Sequence, residues 1–134
     1  MYTKTYHNIR FHIIFSTKNR APLITDHTLK KIRTLLKEKA KELGIIIHIV
    51  NGIEDHVHIL ISSIPGLSIS KLVKHLKGFT SHEIDNLYWQ KGYSAFSVDR
   101  FSFDRIFKYI KNQKLHHGNY SFEKELIRFK KSFR

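Results

Sequence analysis

Two β-branched runs, IIIHIV (45–50) and HVHILIS (56–62), stand on either side of NGIED. Short runs this rich in Ile and Val read as strands, and the Asn-Gly step predicts a hairpin that turns where positive φ is tolerated. An isolated hairpin is marginal in water, so the rest of the chain must cover it. Upstream, HNIRFHIIFST (7–17) alternates Ile9, Phe11, Ile13 and Phe15 with Asn8, Arg10, His12 and Ile14, the pattern of another strand. Between them Leu29, Ile32, Leu36, Ala40 and Leu43 recur at helical spacing, with Asp26 expected to cap the start and Gly44 to end the helix.

Downstream, a helix from Ser68 carries Ile69, Leu72, Val73, Leu76 and Phe79, with Ile84 and Leu87 continuing the period past Gly78 and Thr80. YSAFSV (93–98) reads as a fourth strand. FSFDRIFKYIKNQKLHH (101–117) reads as a third helix with Phe103, Ile106, Phe107 and Ile110 inward, and SFEKELIRFKKSFR as a terminal helix or docked tail. The order β-α-β-β-α-β-α predicts an α+β, ferredoxin-like (RRM-like) antiparallel sheet with helices mainly on one face and the other face open to a ligand. Two prolines, six glycines and no linker or repeat predict one domain over 1–134, with a tail from about 119 to 134.

On the strand HVHILIS, His56 and His58 share a face with Leu60, while Val57, Ile59 and Ile61 take the other. The pair can hold one metal ion between them, or it can be two half-exposed histidines among ten. A third ligand decides between these readings. In KYIKNQ, Tyr109 and Gln113 stand four apart on the flank of the apolar stripe, and Arg105 and His116 lie along the same flank. Imidazole and amide-oxygen donors together suit Mg²⁺ or Mn²⁺, which would let a phenol attack a phosphate; a tyrosine at a core edge serves equally well as packing. Glu54 and Asp55 precede the pair, with turn capping expected first and support of a histidine second.

Charge narrows the partner. Lys and Arg number 24 against 11 Asp and Glu, a net +13, which points to a polyanion. No stretch approaches the roughly 20 apolar residues of a membrane span, and the absence of cysteine and of an export signal fits the cytoplasm. Lys71, Lys74, His75 and His82 form a basic face on the second long helix, and Lys18 and Arg20 follow the first strand; phosphate contact and simple solvation are both open to such a face. Tyr88, Trp89, Tyr93 and Phe96 are available either to stack bases or to fill the core.

The segments YHNIRFHIIFSTKNRAPLI, GIEDHVHILIS, LSISKLVKHLKGFTSHEI and YIKNQKLHH follow one another from about Tyr6 to Arg128. In this combination the chain resembles the HUH single-tyrosine transposases of IS200-like bacterial insertion sequences. The resemblance implies that His56, His58 and Gln113 hold Mg²⁺ or Mn²⁺ and that Tyr109 is the nucleophile. It further implies cleavage and rejoining of single-stranded DNA through a 5′-phosphotyrosine, recognition of hairpins at the element's ends, and a homodimer with composite active sites. Lys18, Arg20, Lys71, Lys74, His75 and Arg105 are the candidate DNA contacts. Asn19 and Ala21 stand where many relatives look more basic, which bears on DNA contacts and not on the chemistry. The competing readings are a non-catalytic single-stranded DNA or RNA-binding module, a domesticated relative acting on repetitive palindromes, and a phosphoesterase using activated water.

Overall fold

The computed structural model describes residues 5–113 and Ile127. Its elements run β1 (Ile9–Ser16), a 3-10 turn (Lys18–Arg20), α1 (Asp26–Leu43), β2 (Ile46–Gly52), β3 (His56–Ser63), α2 (Ile69–Glu83), β4 (Ser94–Ser97) and α3 (Phe103–Lys111). The expected order is met, and the strands lie β2-β3-β1-β4 with every neighbour antiparallel, as the ferredoxin-like plan requires. His116 and, apart from Ile127, the expected tail at about 119–134 lie outside the described residues.

Side-chain alternation in the two central strands sorts the core into two layers. Ile13 and Phe15 of β1 and Val57, Ile59 and Ile61 of β3 pack against Leu29, Ile32, Leu36 and Ala40 of α1 and Leu72, Val73 and Leu76 of α2. Ile14 and Leu60 point the other way and meet Ile106 and Ile110 of α3, with Val98. The expectation of an open second face is therefore overturned. The stripe on α3 must bury its apolar side, and Ile14 and Leu60 are the apolar surface at hand. His56 and His58 lie beneath this layer, fully buried.

Helix ends follow capping chemistry, with one change of residue. Thr25, not Asp26, caps α1: its Oγ1 accepts from the Thr28 N–H at 3.1 Å, and Asp26 sits in the first turn, where a carboxylate suits the helix dipole. Gly44 ends the helix in the left-handed region at φ 77°. Ser68, where the helical pattern was expected to begin, caps α2, but this helix stops at Glu83; Ile84 has extended φ/ψ and, with Leu87, enters the core from the connection.

The β2–β3 hairpin differs from its expected form in two places. Gly52 is not a positive-φ turn residue; it is the last residue of β2, and the turn is 53–55. Glycine is needed there because a Cβ would collide with the backbone oxygen of His56 and crowd Val57. The second difference is a β-bulge: Ile47 pairs with Ile61 but Ile49 pairs with Leu60, so His48 is an extra residue. The bulge inverts parity along the strand, so that Ile47 and Val50 face the first layer while Ile49 joins the α3 layer. No helix among the described residues is long and apolar enough to cross a membrane.

Candidate active site

β3 is an inner strand, which fixes its histidines under α3. His58 sits opposite Ile14, and His56 opposite Ser16 at the strand's start. Their ring centroids are 5.1 Å apart. Each ring is held through Nδ1. That of His56 lies 2.7 Å from Asp55 Oδ1, and that of His58 lies 2.8 Å from Nε2 of the buried His12. With Nδ1 engaged, Nε2 is the remaining ring nitrogen of each; the Asp55 carboxylate keeps a proton on Nδ1 of His56, and the His12 contact sets the orientation of the His58 ring. Asp55 thus supports a histidine, the second of its two expected roles.

α3 brings up the other half. Gln113 is buried, with Nε2 3.5 Å from Nε2 of His56, and the half-buried Tyr109 ring lies edge-on to His58 at 5.9 Å. The four residues picked out in the sequence, His56, His58, Tyr109 and Gln113, are therefore neighbours. Among the described residues no three of His, Cys, Asp and Glu stand together as a metal cluster, and the further donor brought beside the two imidazoles there is the Gln113 amide.

Both ends of α3 are pinned. At the start, Asp99 accepts from the Ser102 N–H at 2.7 Å, and this bonding holds its carboxyl below the usual carboxylate range. Nearby, the Arg10 guanidinium lies 4.6 Å over the Phe103 ring, and His48 meets the same ring edge-on at 4.9 Å. Burial, then the Arg10 charge, push the His48 imidazole below the ordinary histidine range, while its Nε2 bonds Ser62 Oγ at 2.7 Å. At the other end, buried Asn51 bonds the carbonyls of Ile110 and Lys111.

The predicted DNA contacts divide between two regions. Lys18 and Lys74 line one groove of about 610 Å³ with Lys77, Lys91, Tyr88 and Tyr93, on the α2 side of the sheet. Lys77 bonds the carbonyls of Gln90 and Gly92, and burial lowers its pKa. Lys71 and His75 are exposed on α2 and Arg20 is exposed after β1, whereas Arg105 is exposed on α3, across the sheet. Of the aromatics, Tyr88 and Tyr93 are exposed at the groove. Trp89 is instead a packing residue, edge-on to Phe15 at 4.7 Å with its indole N–H donating to Thr80 Oγ1, and Phe96 packs beside His12.

His12, Asn51 and Arg33 are the residues that sequence reasoning missed. His12 occupies the polar phase of an alternating strand, and Asn51 stands in an Asn-Gly step that mimics a turn. The signal for His12 was its place on a strand flanked on both sides, where a polar side chain needs a buried partner.

Comparison with known proteins is consistent along the described chain. A family model described as "Transposase IS200 like" matches residues 5–113. The ISDra2 transposase TnpA of Deinococcus radiodurans is 24% identical over 119 residues, covering 80% of this chain and 85% of that protein. A solved structure from D. radiodurans R1, described as a transposase, superposes with a TM-score of 0.64 at 22% identity over 84% of this chain and 96% of that one. A REP-associated tyrosine transposase bound to a REP hairpin superposes with a TM-score of 0.65 at 17% identity, over 88% and 74%.

Proposed function

This chain belongs to the family of IS200-like transposases, HUH tyrosine enzymes acting on single-stranded DNA, and on that premise we propose that Tyr109 is its nucleophile and that His56, His58 and Gln113 hold a divalent cation. The carrying observation is the meeting, beneath one helix, of two oriented imidazoles, an amide and a phenol that are distant in sequence. The donor set fits Mg²⁺ or Mn²⁺. Gln113 Nε2 stands 3.5 Å from His56 Nε2, so these two side chains and His58 would hold such an ion between an amide and two imidazoles. The amide oxygen and nitrogen exchange by a flip of the Gln113 side chain. When bound, such an ion withdraws charge from a scissile phosphate.

The chain's own residues do the rest. Asp55 holds His56 in the tautomer that ligates through Nε2, and His12 sets the orientation of the His58 ring. Tyr109, half-buried beside His58, is within reach of a strand laid along α3. Its phenolic oxygen forms the new bond to phosphorus as the bond to the 3′ oxygen breaks. The phenol gives up its proton, the departing oxygen takes one up, and the 5′-phosphotyrosine keeps the phosphodiester energy for rejoining.

The DNA is a single strand with hairpin ends, a form supported by the solved relative bound to a REP hairpin. Lys18, Arg20, Lys71, Lys74, His75 and Arg105 supply phosphate contacts, within a chain of net charge +13. Replacing His56 or His58 by Ala is expected to abolish metal-dependent cleavage of hairpin-bearing single strands while leaving hairpin binding in place; loss of both together would assign the histidines to folding. A homodimer with composite sites is tested by mixing Tyr109→Phe and His58→Ala chains. Restored cleavage would require that a tyrosine from one subunit serve the histidines of another.

A further inference from the structure

Asn51 has no assigned part in this chemistry, yet its amide is saturated. Nδ2 donates to the Ile110 carbonyl at 2.9 Å and the Lys111 carbonyl at 3.0 Å, while Oδ1 accepts from the Gly52 N–H and from Arg33 Nη2, both at 2.9 Å. Two donors and two lone pairs are all that an amide has, so it can adopt only this orientation without losing bonds. Arg33 is fixed in turn by a 2.9 Å bond from Nε to the Val50 carbonyl. An unbroken relay thus runs from α1 through the β2 backbone to the end of α3. The His48 bulge makes it possible by inverting strand parity just before Asn51.

The carbonyls at the other end of the relay belong to the last turn of α3. They lie between Tyr109 and Gln113. Asn112 has left helical φ/ψ, at −98° and 25°, so the chain bends between those two residues at the point Asn51 grips. The apolar contacts of Ile106 and Ile110 hold α3 down but are non-directional, whereas the two hydrogen bonds fix where its end stands.

We propose that Asn51, braced by Arg33, is a positioning residue of the reaction, setting the C-terminal end of α3 so that Gln113 reaches His56 and Tyr109 faces His58. This rests on the roles given to Tyr109 and Gln113 above.

Asn51→Asp is the direct test, because the carboxylate still accepts from Arg33 and Gly52 but donates nothing to α3. Removal of outer supports around a metal site costs about tenfold to a hundredfold. A loss of that size is expected in Mn²⁺ affinity, read by electron paramagnetic resonance, and in the rate of covalent adduct formation, with hairpin affinity unchanged. Hydrogen exchange should quicken in residues 103–113 and not in the sheet. In a Gln113→Ala background, Asn51→Asp should lower Mn²⁺ affinity by less than about twofold, since coupled residues are non-additive. Arg33→Ala keeps the amide and drops one brace, so it should show a smaller loss in the same direction; it also serves if Asn51→Asp fails to fold.

Wild-type Mn²⁺ affinity and adduct rate in the folded variant would overturn the proposal. So would a loss that multiplies independently with that of Gln113→Ala, or loosening of the sheet along with α3. If the unmodified chain itself bound no Mn²⁺ and formed no adduct, the reading of the histidines and Tyr109 would fail, while hydrogen exchange would still decide whether Asn51 sets α3.

Discussion

Replacing His12 by Leu isolates the contact that orients His58. His12 is fully buried, its ring stacks on that of His58 at a centroid distance of 5.0 Å, and its Nε2 is 2.8 Å from Nδ1 of His58. To ligate through Nε2, a neutral His58 must carry its proton on Nδ1 and donate it to His12. Leucine fills similar volume but accepts nothing. The stranded N–H costs about 1–3 kcal/mol of stability, and the ring becomes free to adopt the other tautomer, which cannot ligate through Nε2. Outer partners of metal histidines carry about tenfold to a hundredfold in metal affinity, about 1.4–2.8 kcal/mol. The assay is an Mn²⁺ titration of the variant beside urea unfolding without metal, with His12→Gln as the version that retains an acceptor and recovers part of the affinity. A folded His12→Leu chain with wild-type Mn²⁺ affinity would refute the reasoning, because His58 would then need no partner on Nδ1.

Three further outcomes follow from other parts of the molecule. Gly52→Ala forces a Cβ against the His56 carbonyl and should destabilise the chain by about 1–3 kcal/mol or more, seen as a lowered urea midpoint; an unchanged midpoint would mean that the hairpin relaxes without strain. His48 has a folded pKa below its ordinary 6.5, so the unfolded chain binds its proton first. Its contribution is present above pH 6.5 and is lost as pH falls through the depressed value, and His48→Gln should flatten this part of a stability-versus-pH curve. Affinity for single-stranded DNA should fall steeply with salt, and Lys74→Ala should reduce the log–log slope by about 0.7 to 1, judged by fluorescence anisotropy at several salt concentrations; an unaltered slope would remove Lys74 from the interface.

Local periodicity made the element order legible, because a strand or a helix declares itself within ten or so residues. The pairing of His56 with His58 was legible for the same reason, a spacing within one element, and that of Tyr109 with Gln113 from a four-residue step that starts on α3 and ends just past it. What periodicity could not carry was the side of the sheet on which α3 packs. That choice depends on Ile14 and Leu60, roughly 50 to 90 residues from the stripe they bury, and it turned an expected open face into a covered one. Strand parity was lost at His48, since a bulge leaves no mark in an alternating pattern of isoleucines. Asn51 and Gly52 looked like a turn because the dipeptide favours one, whereas here Gly52 is required by close backbone approach and Asn51 by its four partners. His12 was hidden by occupying a phase of β1 that reads as polar.

The central claim is that Tyr109 forms a covalent bond to DNA at a site completed by His56, His58 and Gln113. Its most direct measurement mixes the chain with end-labelled, hairpin-bearing single strands from the DNA flanking its own gene, in Mg²⁺ or Mn²⁺. Products are resolved on denaturing gels, and the modified peptide is identified by mass spectrometry. The account predicts a metal-dependent protein–DNA adduct carried on Tyr109 and absent from Tyr109→Phe. Tight hairpin binding with no adduct, or an adduct that survives Tyr109→Phe, would contradict it.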